Sequence, residues 1–193
     1  MRIGLLAAGA SRRMRGADKL LESVDGMPLL RRQALAAVQA GVGPVAVTLP
    51  PQAQARRDAL AGVPVDILEV ADAAQGMSGS LRQLAHWAAG EPLMIAPADM
   101  PDLDATAFRT MADAFDGIPL RGSDSTGQPG HPVVLPPPLL SRVAGLTGDA
   151  GAKAILAGEK VGLVRLPGTC ATTDLDTPEA WQEWRSARNH QRL

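Results

Sequence analysis

LLAAGASRRMRGADKLL, residues Leu5–Leu21, decides how the chain is read. The segment ends an apolar run that begins at Ile3, sets Ala7, Ala8, Gly9 and Ala10 in succession, and then brings in Arg12, Arg13, Arg15 and Lys19. Small side chains let backbone N–H groups approach an anion closely, and the cations that follow supply the charge a triphosphate requires. The pattern is neither the GxGxxG of dinucleotide folds nor the GxxxxGK[ST] of P-loops. A tight turn followed by a solvated basic stretch is the plainer reading. The order of strand, small residues and four cations favours a phosphate loop.

Outward from this loop, short apolar runs alternate with segments of helical period, which is the pattern of a parallel sheet with crossover helices. Strands are expected at Ile3–Ala8, Val45–Leu49, Val65–Glu69 and Leu93–Pro97. Leu30, Ala34, Ala37 and Val38 fall at helical spacing within Leu29–Ala40, and Leu81, Leu84 and Ala88 do so within Ser80–Ala89. A helix over Asp104–Phe115 has Asp104 as its N-cap. Ile118–Gly122 and His131–Leu135, joined by the polar turn SDSTGQPG, are expected to pair as an antiparallel ribbon beside the site. The PPPLL run from Pro136 reads as a helix start rather than a recognition motif. Val161–Leu166 reads as a further strand, and Pro178–Arg188 as a final helix with Thr177 as N-cap and Glu179 in the first turn.

The expected fold class is therefore α/β, a three-layer α/β/α arrangement around a mostly parallel sheet, in one domain over residues 1–193. A net charge of −1 and an aromatic content of 3% exclude the basic field and stacking platforms of general nucleic-acid binding, so any nucleotide bound is small. The one cysteine, Cys170, has no disulfide partner, which fits a reducing compartment such as the cytoplasm. No cleavable leader is read at the N-terminus, and no apolar run nears the roughly 18 residues of a membrane span.

Two further segments carry carboxylates. PADMP, Pro97–Pro101, places Asp99 at the carboxyl end of a buried strand, where open α/β sheets collect their ligands. A carboxylate there suits Mg²⁺, a hard ion that shares its oxygen ligands with substrate phosphates. A turn or cap aspartate before Pro101 is the alternative. In TDLDTPEAW, Thr173–Trp181, Asp174 and Asp176 lie two apart and face one side of an extended segment. Either could complete a metal site with Asp99, or merely favour the following helix N-terminus.

Leu5–Leu21 resembles the LAAGxSxRMG...K signature of nucleotidyltransferases related to the molybdenum-cofactor cytidylyl- and guanylyltransferases, a Rossmann-like family. The resemblance implies that Leu6, Ala7, Ala8, Gly9, Ala10 and Ser11 form the nucleotide loop, with Arg13 and Lys19 on the phosphates. Arg15 departs from the glycine expected there, and Gly16 follows it. PADMP resembles the family's DxP metal motif and TDLDTPEAW its DIDTPED ending, which implies Asp99 and Asp176 as Mg²⁺ ligands with Asp174 as second choice.

QGMSGSLR, Gln75–Arg82, is similar to the GMSxSLR stretch of the cytidylyl branch and implies nucleotide contacts from Gln75, Gly76, Ser78 and Ser80, although either serine could equally cap the next helix. GQPGHPVVL, Gly127–Leu135, and TGDAGAK, Thr147–Lys153, resemble the same branch's GxPV and GDxGAR stretches. They imply an acceptor side that includes Gly130, His131, Lys153 and Asp174, with Asp149 as a helix cap. A solvated Lys153 and a structural His131 are the plainer alternatives.

What the resemblance implies is an enzyme that transfers CMP from CTP to the phosphate of molybdopterin with Mg²⁺, releasing pyrophosphate, with Arg13, Lys19 and Asp99 carrying the chemistry. GTP as donor, a sugar or polyol phosphate as acceptor, and a nonenzymatic chaperone that hands molybdenum cofactor to a client molybdoenzyme are the alternatives. Neither nucleic acid nor a membrane is an expected partner.

Overall fold

Strands at the centre of this protein are buried on both faces, so they read as continuous apolar runs instead of alternating ones. The computed structural model describes the backbone of residues 1–191 and the side chains of residues 1–188. In chain order its elements begin β1 Arg2–Leu6, β2 Ser23–Val24, β3 Met27–Pro28, α1 Leu29–Gln39, β4 Val45–Leu49, α2 Gln54–Ala59, β5 Asp66–Glu69, α3 Met77–Ala88 and β6 Leu93–Pro97. They continue with α4 Ala105–Asp113, β7 Leu120–Ser123, β8 Pro129–Leu135, α5 Pro137–Leu140, α6 Ala152–Ile155, β9 Gly162–Arg165 and α7 Pro178–Gln191. Short 3-10 turns at Arg12–Met14, Lys19–Leu21, Ala73–Gln75 and Ser141–Gly145 connect some of them.

Seven strands form one sheet in the order β5-β4-β1-β6-β8-β7-β9. Every neighbouring pair is parallel except those made by β8, which runs against both β6 and β7. The expected pairing of residues near 118–122 with those near 131–135 is present. It extends the main sheet, because β8 bonds to β6 along its other edge. A separate two-stranded ribbon, β2 with β3, turns at Asp25-Gly26, both of which have positive φ. Asp-Gly between short strands is a strong hairpin signal that the periodicity reading passed over.

Alternate residues of each strand feed opposite layers. Ile3, Leu5, Val47, Met94 and Ala96 pack with Leu30, Ala34 and Ala37 of α1 and Phe108 and Met111 of α4. Ala46, Leu93, Ile95, Val133 and Leu135 pack on the other face with Leu81 and Leu84 of α3 and with Leu139, Leu140 and Ile155. This is the expected three-layer α/β/α arrangement.

Asp104 caps α4, its carboxylate accepting from the Ala107 N–H at 2.8 Å, and Thr177 accepts from the Ala180 N–H at 3.2 Å where α7 begins. Two caps read from sequence are corrected. Ser78 and Ser80 do not start α3; they lie inside it, buried, and Gly76 precedes the helix. Gly76 has φ +121, and a Cβ there would meet the Gly148 backbone at 2.4 Å, so the chain enters α3 by a turn that a serine could not take. Gly151 rather than Asp149 precedes α6, because that helix begins only at Ala152.

α7 returns to the N-terminal half of the chain through a third cluster of Met14, Val24, Leu29, Leu175 and Trp181. Trp181 is 2% exposed, and its indole N–H, buried, has no hydrogen-bond partner among the described residues. Trp181→Ala should therefore lower unfolding free energy by about 3–5 kcal/mol in urea denaturation. Trp181→Phe, which removes the unpaired N–H along with part of the ring, should cost under half of that.

Candidate active site

The carboxyl ends of β1, β4 and β6 lie side by side in the sheet, with a cleft at the ends of β1 and β4 and Asp99 just past the end of β6. β1 runs into the glycine-rich loop, which a buried strand followed by small residues obliges to turn sharply. Leu6, Ala8, Gly9, Ala10, Gln75, Gly76 and Ser80 line a cavity of about 670 Å³, a volume within the range usual for small-ligand sites. Pro50, Pro51, Arg56, Ala71 and Asp149 line it too, and sequence reasoning missed them. Pro50 and Pro51 had a usable signal, since they follow the buried strand β4 just as Asp99 follows β6. Ala7 and Ser78 are buried behind this wall: the Ala7 N–H donates to Thr48 Oγ1 at 3.2 Å, and the Ser78 N–H to the Gly148 carbonyl at 3.1 Å.

Beside the loop, four of the sequence-predicted residues meet. Lys19 Nζ donates to Asp99 Oδ2 and to Asp176 Oδ1, and Arg13 Nη1 donates to Asp176 Oδ2 at 2.7 Å. Their side-chain exposures are 15% for Lys19, 13% for Asp99, 33% for Asp176 and 74% for Arg13, so the cluster grades from enclosed to open. Burial by itself would lower the Lys19 pKa, but the Asp99 and Asp176 carboxylates outweigh it and raise the value above that of a free lysine. The resulting stabilisation is complete below the ordinary lysine pKa and is lost as pH climbs through the raised one. Burial pulls Asp176 upward, yet Lys19 and then Arg13 hold it below the usual carboxylate range. Its share of stability is present above the ordinary value and lost as pH falls through the lowered one.

Asp174 feels the same cluster from the other side, since desolvation, then Asp176 and then Asp99, push its carboxyl up. Asp99 Oδ1 is buried and has no hydrogen-bond partner among the described residues. An orphaned carboxylate oxygen beside a second carboxylate is a donor set that suits a hard divalent cation. Among the described residues no group of three His, Cys, Asp or Glu side chains stands ready for a metal, so the remaining ligands of such an ion would have to come from substrate and water.

The residues expected from sequence to face an acceptor are spread out. His131 lies on β8 with its backbone N–H donating to the Ala171 carbonyl at 2.8 Å, and its Nδ1 is buried without a partner among the described residues. Burial and then Arg121 lower the pKa of its imidazole, while Asp99 pulls the other way. Gly130 packs against the same strand of backbone, where an added Cβ would lie 1.8 Å from the Ala171 oxygen. Lys153 is exposed on α6, outside the Lys19–Asp99–Asp176 cluster and outside the residues lining the cavity. Arg15, in left-handed conformation at φ 53, directs its guanidinium to Glu179 of α7 at 2.6 Å.

The cluster makes a stability prediction. Lys19→Met leaves Asp99 and Asp176 facing one another without an ammonium between them, and in divalent-free buffer it should cost about 1–3 kcal/mol by urea denaturation, discounted for partial exposure. The cost should shrink in a background carrying Asp99→Asn and Asp176→Asn, because the repulsion is then already removed.

Residues 3–164 match the MobA-like NTP transferase domain. Comparison of the sequence with curated proteins returns no match. Among solved structures, Rv0371c from Mycobacterium tuberculosis H37Rv is similar at 24% identity, TM-score 0.81, over 96% of this chain and 97% of that one. A manganese complex of Rv0371c superposes at TM-score 0.78, again at 24% identity, over 94% of this chain and 96% of that one. A nucleotidyl transferase from Methanothermobacter (Mth528) superposes at TM-score 0.80 with 19% identity over 98% of each chain. The inositol-1-phosphate CTP transferase of T. maritima superposes at TM-score 0.72 with 16% identity over 93% of this chain and 90% of that one. At these identities the structures establish a shared Rossmann-like fold, and the match over residues 3–164 establishes the family: the chain belongs to the MobA-like NTP transferases and is a nucleotidyltransferase.

Proposed function

We propose that this nucleotidyltransferase transfers CMP from CTP to the terminal phosphate of molybdopterin. The observation that carries the reading is the convergence of Lys19, Arg13, Asp99 and Asp176 beside a glycine-rich loop that lines a nucleotide-sized cleft. In the reaction an oxygen of the acceptor phosphate bonds to the α-phosphorus of CTP, the bond from that phosphorus to the β-phosphate bridge breaks, and pyrophosphate leaves with the electron pair.

The acceptor phosphate is already ionised near pH 7, so no side chain has to remove a proton. His131, whose pKa burial lowers, is therefore not needed as a base. Lys19 and Arg13 counter charge on the phosphates, and the loop from Leu6 to Ser11 turns its backbone toward them, which lowers the barrier by alignment and by fixed electrostatics. Asp99 and Asp176 would hold Mg²⁺, whose chemistry is to neutralise and polarise phosphate oxygens. Asp99 Oδ1, buried and without a hydrogen-bond partner among the described residues, supports that assignment, as does the structure of Rv0371c in complex with manganese. Gln75, Gly76 and Ser80 line the cleft and would contact the nucleotide, with Ser78 behind them. Gly130, His131 and Asp174 would face the acceptor, and Lys153 would reach it only from the exposed edge.

CTP is favoured over GTP by the likeness of Gln75–Arg82 to the cytidylyl branch and by the CTP used by the T. maritima relative. That relative also supports a second reading, a cytidylyltransferase whose acceptor is a polyol phosphate.

Purified protein with Mg²⁺, molybdenum-loaded molybdopterin and each of CTP, GTP, ATP and UTP should release pyrophosphate with CTP, and Asp99→Ala should reduce the rate by at least about 100-fold. Release with GTP instead would reverse the donor assignment and keep the mechanism. Release with inositol phosphate and not with molybdopterin would establish the second reading. Silence with every pair, with binding of cofactor intact, would indicate a carrier of the cofactor in place of an enzyme acting on it.

A further inference from the structure

Arg56 is 6% exposed, yet it lies in the wall of the nucleotide cleft and no phosphate-loop pattern in the sequence includes it. It comes from α2, the short helix that follows the Pro50-Pro51 turn. Its guanidinium donates from Nη1 to the Ala7 carbonyl at 2.6 Å and from Nη2 to the Gly9 carbonyl at 2.8 Å. Nε donates to Asp18 Oδ2 at 2.7 Å, and Nη2 to Asp18 Oδ1 at 3.0 Å, a bidentate pair. Ser11 Oγ lies 3.5 Å from the same Nη2. Asp18 in turn accepts from Ser11 Oγ at 3.2 Å and from the Leu20 N–H at 3.1 Å, which caps the turn that carries Lys19.

One buried guanidinium thus grips the loop at two carbonyls, and through one carboxylate it also holds the turn that carries the lysine. In a planar trans peptide the C=O of one residue and the N–H of the next point opposite ways. With the Ala7 and Gly9 carbonyls turned onto Arg56, the N–H groups of Ala8 and Ala10 point away from it, and Ala8 and Ala10 both line the cleft. A chain of small residues has the greatest freedom to turn those peptides over, so something must fix them if they are to meet an anion at no further entropic cost. An arginine with a planar fork of donors fits that task, whereas a lysine could reach at most part of the set.

We propose that Arg56 with Asp18 is a positioning pair: it presets the glycine-rich loop and the Lys19 turn for the triphosphate. The proposal rests on the reading that this loop holds the nucleoside triphosphate. Arg56 is a positioning residue, since it acts through loop carbonyls and Asp18.

Two readouts on Arg56→Lys test it. Amide hydrogen exchange on the nucleotide-free protein should rise within residues 7–12 and 19–21 and remain unchanged in the sheet. Mg²⁺–CTP binding by calorimetry should weaken about tenfold or more, the effect of losing charge-assisted contacts, while cytidine monophosphate binding and the acceptor KM change by less than about twofold. A merely structural role would lower melting temperature and weaken all ligands alike. Should Arg56→Lys unfold, Asp18→Asn, which keeps a side-chain oxygen for the Leu20 N–H, carries the same two measurements. Unchanged exchange in the loop would overturn the proposal whatever the binding result. Raised exchange with undiminished triphosphate affinity would also overturn it. If exchange rises but wild-type protein binds none of the four nucleoside triphosphates, the triphosphate reading of the loop falls and takes the proposal with it.

Discussion

Asp99 and Asp176 cannot lie close together in a partly enclosed site unless positive charge lies between or beside them, and much of this end of the molecule is arranged around that requirement. At short range in a medium of reduced dielectric, two carboxylates repel by several kcal/mol, far more than solvent-exposed neighbours do. Lys19 bonds to both, and Arg13 bonds to Asp176 from the solvent side. The two aspartates come from distant parts of the chain, one at the end of β6 and one just before α7, so this cation pair closes the site across the whole fold. Under the proposed function a highly anionic substrate comes to the same place, and the cluster offers it two cations and a carboxylate oxygen that has no hydrogen-bond partner among the described residues.

Three kinds of packing hold the requirement in place. The sheet is apolar on both faces, which fixes where β1 and β6 end and therefore where the loop and Asp99 emerge. The smaller cluster around Trp181 and Met14 fastens α7 to the N-terminal loop, and Arg15–Glu179, Arg185–Glu22 and the Trp184 indole on Asp102 add polar contacts around it. Exposed ion pairs of that sort contribute little individually, so the apolar cluster accounts for most of the attachment. Arg56 and Asp18 form the third, a pair with a buried guanidinium and a half-buried carboxylate that also bonds to loop carbonyls, to Ser11 Oγ and to the Leu20 N–H. Arg15 holds a left-handed conformation natural for glycine, and its guanidinium finds an anion on α7.

Much of this was legible from residue order. Continuous apolar runs at Val45–Leu49 and Leu93–Pro97 give strands with the observed bounds, because strands buried on both faces admit few polar residues. Asp104 and Thr177 were readable as caps, since a side-chain oxygen ahead of a helical pattern has one strongly favoured use. Ser78 and Ser80 misled for the converse reason. A serine inside a helix looks the same in sequence as one before it, and only the collision that excludes a Cβ at Gly76 places the boundary. The Asp25-Gly26 hairpin was available from local turn chemistry and was obscured by the search for longer periods.

By itself the sequence determined the alternation of strands and helices, the run of small residues and cations after β1, and the place of Asp99 past a strand end, because each is a local property of hydrophobic period or of residue chemistry. Only the tertiary structure decided that Asp176 meets Asp99, that Lys19 bonds to both, that the 118–135 hairpin belongs to the main sheet, and that Arg56 turns from a surface-like helix into the loop. Those outcomes depend on where separate segments come together. Long-range electrostatic pairing and backbone direction leave no periodic mark in the chain that produces them.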